Sequence, residues 1–295
     1  MKQSTLLILA AGVGNRYGGL KQIDNLGPNG ECLMDYAIFD AKNAGFKRVV
    51  FVIRPDLEGV FSSMFGEGQT GMETRFVFQR PDDLPRGFLC PEGRAKPWGT
   101  AHAVYAARDA LNGPFGIIGA DDFFGRDTME KLYKSLEAVD GNNFSIIGFR
   151  LENTVPEKGA VSRGVCRVEN GMLTGVTERA GIAKDINGEI ICEDGIDQPI
   201  SKGSLTSLNV WGMHPDIFGF MEEDFSAFLQ NRGGEAGAEY YLPAVVDDMI
   251  KKRGLKVRVE ESASKWFGVT NPEDRATVVE RLAAMHLGGE YPSLR

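Results

Sequence analysis

The chain has 295 residues, and its 33 lysines and arginines against 41 aspartates and glutamates leave a formal net charge of −8. An acidic protein of this kind is not expected to wrap a nucleic acid or to bind a membrane through basic charge. Hydrophobic residues make up 42% of the chain, which is enough for a self-sufficient core. No stretch approaches the roughly 18 consecutive apolar residues of a membrane span.

Cysteine and histidine usage argues against a stapled or zinc-bound fold. The four cysteines are widely scattered without a CxxC spacing, and there are only three histidines. The amino-terminal sequence MKQSTLLILAAG has too short an apolar run for a cleavable signal peptide. We therefore expect a cytoplasmic protein.

The first half of the chain alternates buried strands with helices. Short apolar runs predict strands at Thr5–Ala10, Arg48–Ile53, Arg75–Gln79 and Phe115–Gly119, and helical spacing predicts helices at 32–44, Glu58–Phe65 and Gly99–Leu111. This alternation is typical of a parallel sheet with helices on both faces, and it extends to about residue 150.

The second half has a different pattern. Strands are predicted at Gly164–Val168, Leu173–Thr177 and Leu205–Trp211, helices at about 215–230, 239–252 and 272–286, and a further strand at Lys256–Glu260. No helix separates the first two of these strands, which favours antiparallel pairing through a glycine turn. Residues 181–203 are interpreted as an insertion or flap. Because no Pro/Ser-rich linker divides the chain, we predict one unit, 1–295, with two lobes, 1–150 and 151–295.

A glycine loop directly follows the first predicted strand, in the sequence LAAGVGNRYGGLK from Leu9 to Lys21. Backbone N–H groups of such a loop converge on one concavity, which suits phosphate oxygens. Arg16 and Lys21 add two cations. The loop lacks the GK[ST] of a Walker A motif, and Tyr17 occupies the third glycine position of a Rossmann fingerprint. A loop that only makes a tight turn would leave the two cations unexplained.

This loop resembles the LxAGxGxR signature, followed by lysine, of the sugar-1-phosphate nucleotidyltransferases. These enzymes join a nucleoside triphosphate (NTP) to a sugar phosphate and release pyrophosphate. The family's usual proline before the lysine is replaced here by Leu20. The resemblance implies that Arg16 and Lys21 are catalytic, and that the loop residues Ala10, Ala11, Gly12 and Gly14 bind the nucleotide.

A second match lies at Gln79 and in the sequence PWGTAHA that begins at Pro97. It resembles the family's base-reading glutamine and G[TL]xxA turn, which implies nucleotide-binding roles for Gln79, Gly99 and Thr100. An amide side chain can donate to and accept from a pyrimidine edge, and glycine permits close backbone approach. The intervening segment 80–98 is longer than usual. The alternative for Gln79 is a surface residue at a strand end, and His102 is expected to cap or pack.

Two carboxylates follow an apolar strand in the sequence FGIIGADDFFG. Asp121 and Asp122 thus lie at the carboxyl end of a strand, where open parallel sheets bind ligands, and hard oxygen ligands suit Mg²⁺. The family has a Gly-Asp-Asn triplet here whose aspartate binds the metal, which implies that Asp121 is the metal ligand. A helix N-cap is the alternative for Asp122. Asn271 is a candidate second metal ligand or a helix cap, since the aspartate of the family's Trp-x-Asp-x-Gly-Thr arrangement is absent.

Three later segments resemble the family's sugar-side strands, and they imply sugar-binding roles for Gly164, Glu178 and Asn209. Carboxylate and amide oxygens are suitable partners for sugar hydroxyls. The stretch GAEYYL from Gly237 to Leu242 resembles a GEYYLT sequence of the family, with an expected structural role.

The resemblance implies a Rossmann-like, GT-A-like α/β fold: a mixed, mostly parallel sheet flanked by helices, with a smaller antiparallel sugar-side lobe. Residues 1–150 would form the nucleotide-binding lobe, and residues 151–295 would form the sugar-binding lobe with the C-terminal helices. The implied reaction is Mg²⁺-dependent nucleotidyl transfer from an NTP, UTP or dTTP, to a sugar 1-phosphate.

Two other functions stay open from the sequence. One is a nucleotide-sugar glycosyltransferase, or a cytidylyltransferase acting on an alcohol phosphate such as phosphocholine. The other is a non-catalytic nucleotide or sugar-phosphate sensor. NTP and sugar 1-phosphate are the expected partners, without nucleic acid or membrane, and homo-oligomer formation is left open.

Overall fold

The computed structural model of the chain describes residues 4–12, 20–156, 159–192, 194–196, 199–269 and 272–295. Its strands are β1 Thr5–Leu9, β2 Arg48–Ile53, β3 Glu73–Phe78, β4 Phe115–Gly119, β5 Asp122–Phe123, β6 Asn143–Arg150, β7 Val161–Glu169, β8 Met172–Lys184, β9 Ile190–Ile191, β10 Leu205–Met213, β11 Lys256–Ser262 and β12 Phe267–Gly268. Its helices are α1 Leu33–Ala44, α2 Glu58–Phe65, α3 Thr100–Ala106, α4 Arg126–Ser135, α5 Ile217–Arg232, α6 Leu242–Arg253 and α7 Asp274–Leu287.

The predicted strands and helices are confirmed, with shifts at their ends. The largest shift is in β8, which continues to Lys184, whereas α3 ends early, at Ala106, because a separate 3-10 turn follows at Arg108–Ala110. Five of the described elements were not predicted, namely the two-residue strands β5, β9 and β12 and the longer elements β6 and α4. For the two longer ones, the apolar run Phe144–Phe149 and the helical spacing of Met129 and Leu132 were available signals. The flap predicted at 181–203 contains the end of β8 and the short strand β9.

The main sheet has the strand order β3-β2-β1-β4-β10-β6-β11-β8-β7. β1 lies between β2 and β4 in parallel register, with Leu9 opposite both Val52 and Gly119. The strands β1, β2 and β4 are almost completely buried, as expected for parallel strands covered on both faces. Because parallel strands end at the same edge, the residues after β1 and β4 meet there. The predicted mixed sheet is confirmed, with parallel pairing from β3 through β4 and between β6 and β11.

The antiparallel pairing predicted in the second half is also confirmed. β7 and β8 form a hairpin, and the turn residues Asn170 and Gly171 have φ angles of 51° and 75°. Two consecutive residues with positive φ match the right-handed twist of the flanking strands. β10 pairs with β4, β6 and β7, so strands from both halves share one sheet. The division into lobes at residue 150 stays a prediction.

A separate two-stranded sheet joins β5 to β12 beside the carboxyl end of β4. The rings of Phe123 and Phe267 stack with their centroids 4.4 Å apart, and Gly268 lies opposite Asp122. This pairing brings the segment before α7 against the acidic residues that follow β4.

Over the part of the chain that the structure describes, every helix is too short or too polar to cross a lipid bilayer.

Candidate active site

Backbone hydrogen bonds join the end of β1 to the turn after β4, and the residue after β1 to β2. The N–H of Ala120 donates to the carbonyl of Leu9 at 3.2 Å, and the N–H of Ala10 donates to the carbonyl of Val52 at 2.8 Å. Ala10 and Ala11 are buried, so their side chains pack into the core. Any ligand contact from these two predicted residues would therefore come from the backbone.

Lys21 and Asp121 form an ion pair at this edge of the sheet. Lys21 lies in a short 3-10 helix, Lys21–Ile23, and its Nζ contacts Oδ2 of Asp121. The two side chains are 19% and 32% exposed, so solvent and ligands can reach both. The structure thus brings together a predicted cation and a predicted metal ligand that are far apart in the sequence.

Several predicted residues lie outside the described residues, namely Gly14, Arg16 and Asn271. Of the glycine loop, Gly12 is described: it is exposed, and its carbonyl accepts a hydrogen bond from the amide Nε2 of Gln22. Gln22 is 3% exposed and was not singled out from the sequence. Its hydrogen bond to Gly12 holds the start of the loop.

Asp122 is not a helix N-cap, because it belongs to β5 and α4 begins after Gly125. A Cβ atom at Gly268 would overlap Oδ1 of Asp122, so a larger residue there would displace this carboxylate. Burial first, and the neighbouring charge of Asp121 second, raise the pKa of Asp122. The indole N–H of Trp266 lies near Asp122 but makes no well-formed hydrogen bond among the described residues.

The two carboxylates fit a divalent cation. They are adjacent in sequence, they lie beyond the end of β4, and their mutual repulsion would be relieved by a positive ion. Within the described ranges, no group of three or more His, Cys, Asp or Glu side chains is placed to hold a metal. Mg²⁺ often binds through one or two carboxylates plus substrate phosphates, so this donor set is sufficient in kind.

Gln79 follows β3 by one residue and is 5% exposed, so the alternative of a surface residue at a strand end is wrong. Its Nε2 donates to the carbonyl of Gly99 at 2.9 Å and lies 3.1 Å from Nδ1 of His102. The two predicted nucleotide-binding positions, Gln79 and Gly99, are therefore in direct contact. His102 is buried and packs against Phe225, with ring centroids 5.5 Å apart.

The turn at Gly99 requires glycine for two reasons. Its φ is 109°, and a Cβ atom there would lie 2.7 Å from the carbonyl oxygen of Tyr240. That carbonyl accepts a hydrogen bond from Ala101 N–H at 3.0 Å, and the hydroxyl of Thr100 accepts one from Leu242 N–H at 3.0 Å. The GAEYYL stretch thus holds the start of α3, which confirms its expected structural role.

Gly164 and Glu178 face each other across the β7–β8 hairpin. A Cβ atom at Gly164 would lie 3.6 Å from Oε2 of Glu178. Glu178 is exposed, yet partial desolvation raises its pKa and the charge of Arg163 opposes that rise. The predicted sugar-side glycine and glutamate are therefore neighbours.

Asn209 lies on β10 two residues after Ser207, which pairs with Gly164, at an irregularity of the strand between Ser207 and Trp211. Its φ is 57°, and its Oδ1 accepts a hydrogen bond from the indole N–H of Trp211 at 3.4 Å. No hydrogen bond or ion pair among the described residues joins Asn209 to Gly164 or Glu178.

Arg163 is a site residue that the sequence analysis missed. Its guanidinium lies over the ring of Trp266 at 4.7 Å from the centroid and donates to the carbonyl of Thr154 at 2.7 Å. Burial lowers its pKa, and the charges of Asp122 and Glu178 oppose that fall. The charge of Arg163 therefore interacts both with a carboxylate after β4 and with one on the β7–β8 hairpin. No local pattern signals this, because its neighbours come from distant parts of the chain.

Arg179, next to Glu178, is committed to a different contact. It forms a bidentate pair with Asp194, with a 2.8 Å bond from its Nη2 to Oδ1, and it also donates to the carbonyl of Ile196 at 3.3 Å. The pair ties β8 to the segment that follows β9.

Comparison with known proteins identifies the family. A family model described as "Nucleotidyl transferase" matches residues 5–177, more than half of the chain, so the chain belongs to this family and the predicted family is confirmed. A relative described as bifunctional protein GlmU from Rhodopseudomonas palustris is 27% identical over 97% of this chain. The chain spans 56% of that relative's length.

Solved structures share the fold. An inositol-1-phosphate CTP transferase from T. maritima aligns with a TM-score of 0.62 at 15% identity, over 94% of this chain and 95% of that one. A putative glucose-1-phosphate thymidylyltransferase from Bacillus anthracis aligns with a TM-score of 0.62 at 13% identity, over 95% of both chains. The GT-A-like nucleotidyltransferase fold predicted from the sequence is thereby confirmed.

Proposed function

We propose that this protein transfers a nucleotidyl group from UTP or dTTP to a sugar 1-phosphate, giving a nucleoside diphosphate sugar and pyrophosphate. The observation that carries the proposal is the ion pair of Lys21 with Asp121 at the carboxyl edge of β1 and β4. Open parallel sheets bind their ligands at this edge, and a cation beside a carboxylate suits a triphosphate and its metal ion.

In this reaction an oxygen of the sugar phosphate attacks the α-phosphorus of the NTP, and the bond to pyrophosphate breaks. No protein nucleophile is needed, so the protein acts by positioning and by charge. Lys21, with Arg16 from the adjoining loop, would stabilise the charge that develops on the α-phosphate and on the leaving pyrophosphate. Backbone groups of Ala10, Ala11, Gly12 and Gly14 would line the phosphate site.

Asp121 together with Asp122 would hold a divalent cation, for which Mg²⁺ is the proposed identity. When bound, such an ion withdraws electron density from phosphate oxygens. The ion pair with Lys21 would hold the carboxylate of Asp121 in place at this edge. Asn271 stays a candidate for a further ligand.

The acceptor is proposed to lie against the β7–β8 hairpin. Glu178 and the backbone at Gly164 would contact sugar hydroxyls, with Asn209 supplying an amide from β10. Arg163, which the charges of Asp122 and Glu178 both influence, would place positive charge near the acceptor's phosphate. The nucleotide would occupy the side formed by residues 1–150, where Gln79, Gly99 and Thr100 lie.

The test is a coupled pyrophosphate assay over a grid of NTPs and phosphate acceptors, with and without Mg²⁺. We expect Mg²⁺-dependent pyrophosphate release with UTP or dTTP and a sugar 1-phosphate. Release only with CTP and an alcohol phosphate such as phosphocholine would replace the proposal with the cytidylyltransferase. Nucleotide binding without release across the whole grid would favour the sensor.

A further inference from the structure

The buried imidazole of His102 has a defined tautomer, because its two hydrogen-bond partners have fixed polarity. Nδ1 lies 3.3 Å from the backbone N–H of Trp98, which can only donate, and Nε2 lies 3.0 Å from the carbonyl oxygen of Asp83, which can only accept. The proton is therefore on Nε2, and Nδ1 carries a lone pair. Burial lowers the pKa of His102 to about 4, so the ring stays neutral in neutral solution.

This tautomer determines which way the amide of Gln79 points. One amide atom of Gln79 lies 3.1 Å from Nδ1 of His102 and 2.9 Å from the carbonyl oxygen of Gly99. Both partners are acceptors, so only the NH₂ group can occupy this position, and a flipped amide would place an oxygen against two lone pairs. Both amide protons are thereby used within the protein.

The remaining group of Gln79 is its carbonyl oxygen Oε1, which accepts no hydrogen bond from the described residues. It belongs to a buried side chain at the carboxyl end of β3, beside the glycine turn of Gly99. A base that approaches this turn therefore meets a hydrogen-bond acceptor without an accompanying donor.

We propose that His102 is a positioning residue that fixes Gln79 as an acceptor, so that the site selects uridine or thymidine nucleotides over cytidine nucleotides. Uracil and thymine carry an N–H at ring position 3, which donates to such an oxygen. Cytosine carries a lone pair at the same position, which would face the lone pairs of Oε1. This inference rests on the proposed function, and it assigns the base preference to a histidine that would not touch the nucleotide.

The first test is the equilibrium binding of UTP, dTTP and CTP to the wild-type protein and to His102→Phe, with His214→Phe as the matched control. Two acceptors that face each other, Oε1 of Gln79 and the ring nitrogen of cytosine, should weaken CTP binding. We expect the wild type to prefer UTP or dTTP over CTP by about 10- to 100-fold in Kd. We expect the ratio to fall at least fivefold in His102→Phe and to be unchanged in His214→Phe. A purely structural role of His102 would weaken all three nucleotides alike, which would overturn the proposal.

The second test does not depend on the variant's folding. Nitrogen-15 NMR of imidazole-labelled wild-type protein should show His102 with a protonated Nε2 and an unprotonated Nδ1 from pH 8 to pH 5.5. A proton on Nδ1 would overturn the proposal. Equal binding of UTP and CTP by an enzyme that releases pyrophosphate would overturn this inference and leave the proposed function standing. Absence of binding by any NTP would overturn both.

Discussion

The region around Gln79, proposed to read the base, and the region around Glu178, proposed to bind the acceptor, are built in opposite ways. Gln79 is 5% exposed and His102 is 0% exposed, and their hydrogen-bonding groups are oriented by partners within the protein. Glu178 is exposed on a long antiparallel hairpin, where partial desolvation raises its pKa and the charge of Arg163 opposes that rise. Under the proposed function, the base would meet groups oriented in the core, whereas the acceptor would meet a more exposed side chain.

The largest effect is expected at the ion pair between these regions. Lys21→Ala and Asp121→Ala should each lower turnover by about 10²- to 10³-fold, because each removes charge stabilisation at the phosphates. The melting temperature should hardly change, since partly exposed ion pairs contribute about 0–1 kcal/mol. The control is Lys251→Ala, which breaks a surface pair with Asp247 on α6. Parallel losses of stability and activity would make Lys21 and Asp121 structural residues.

The burial of His102 should make the stability of the protein depend on pH. The pKa of His102 falls from 6.5 to about 4 on folding. The folded state therefore resists a proton that the unfolded chain accepts, and stability is lost as the pH falls through this window, by about 3 kcal/mol in total. Urea unfolding at pH 7 and pH 4 should show this loss in the wild type and not in His102→Phe, in which the other titrating groups are retained. Equal losses of unfolding free energy between pH 7 and pH 4 in the two proteins would show that the imidazole is not desolvated.

A substitution in the proposed acceptor region should change the affinity for the sugar phosphate and not that for the NTP. Glu178→Gln should raise the KM for the sugar phosphate about tenfold, the equivalent of one weakened charged hydrogen bond, and leave the KM for the NTP within about twofold. Steady-state kinetics with each substrate varied in turn measures both values. Glu169→Gln, at the exposed end of β7, is the control. Equal rises in both KM values would contradict the separation of the two regions.

The smallest effect is expected at the backbone of the base-reading turn. Gly99→Ala should cost about 1–2 kcal/mol more stability than Gly68→Ala, because both positions have positive φ but only Gly99 lacks room for a methyl group. Denaturant unfolding of both variants gives the difference. If Gly99→Ala were no worse than Gly68→Ala, the close approach of Tyr240 would not be maintained in solution.

The parts of the site that follow directly from local pattern were predictable. The residues that begin the glycine loop after β1, up to Gly12, and the carboxylates after β4 lie at one sheet edge as expected, because parallel strands end at the same edge. The antiparallel hairpin with its Asn-Gly turn was predictable too, whereas the pairing of Gly164 with Glu178 depends on a register shift between Arg167 and Val168 that the sequence did not indicate. The roles of these residues toward ligands stay predictions.

Other features depended on contacts that no local pattern encodes. Asp122 was misread as a helix cap because the pairing of β5 with β12 joins segments far apart in the chain. The contact of Arg163 with Trp266 and the contact of Gly99 with Tyr240 have the same character. In each case the two partners belong to segments whose approach depends on how the whole sheet is assembled.

Alternating apolar runs, helical spacing and glycine positions determined the mixed α/β architecture, because short-range backbone preferences and the burial of apolar side chains act along the chain. Only the tertiary structure decided which way the amide of Gln79 points and which carboxylates Arg163 faces. The orientation of an amide and the tautomer of an imidazole follow from the partners that pack against them. Those partners are set by the folded arrangement of distant strands and turns.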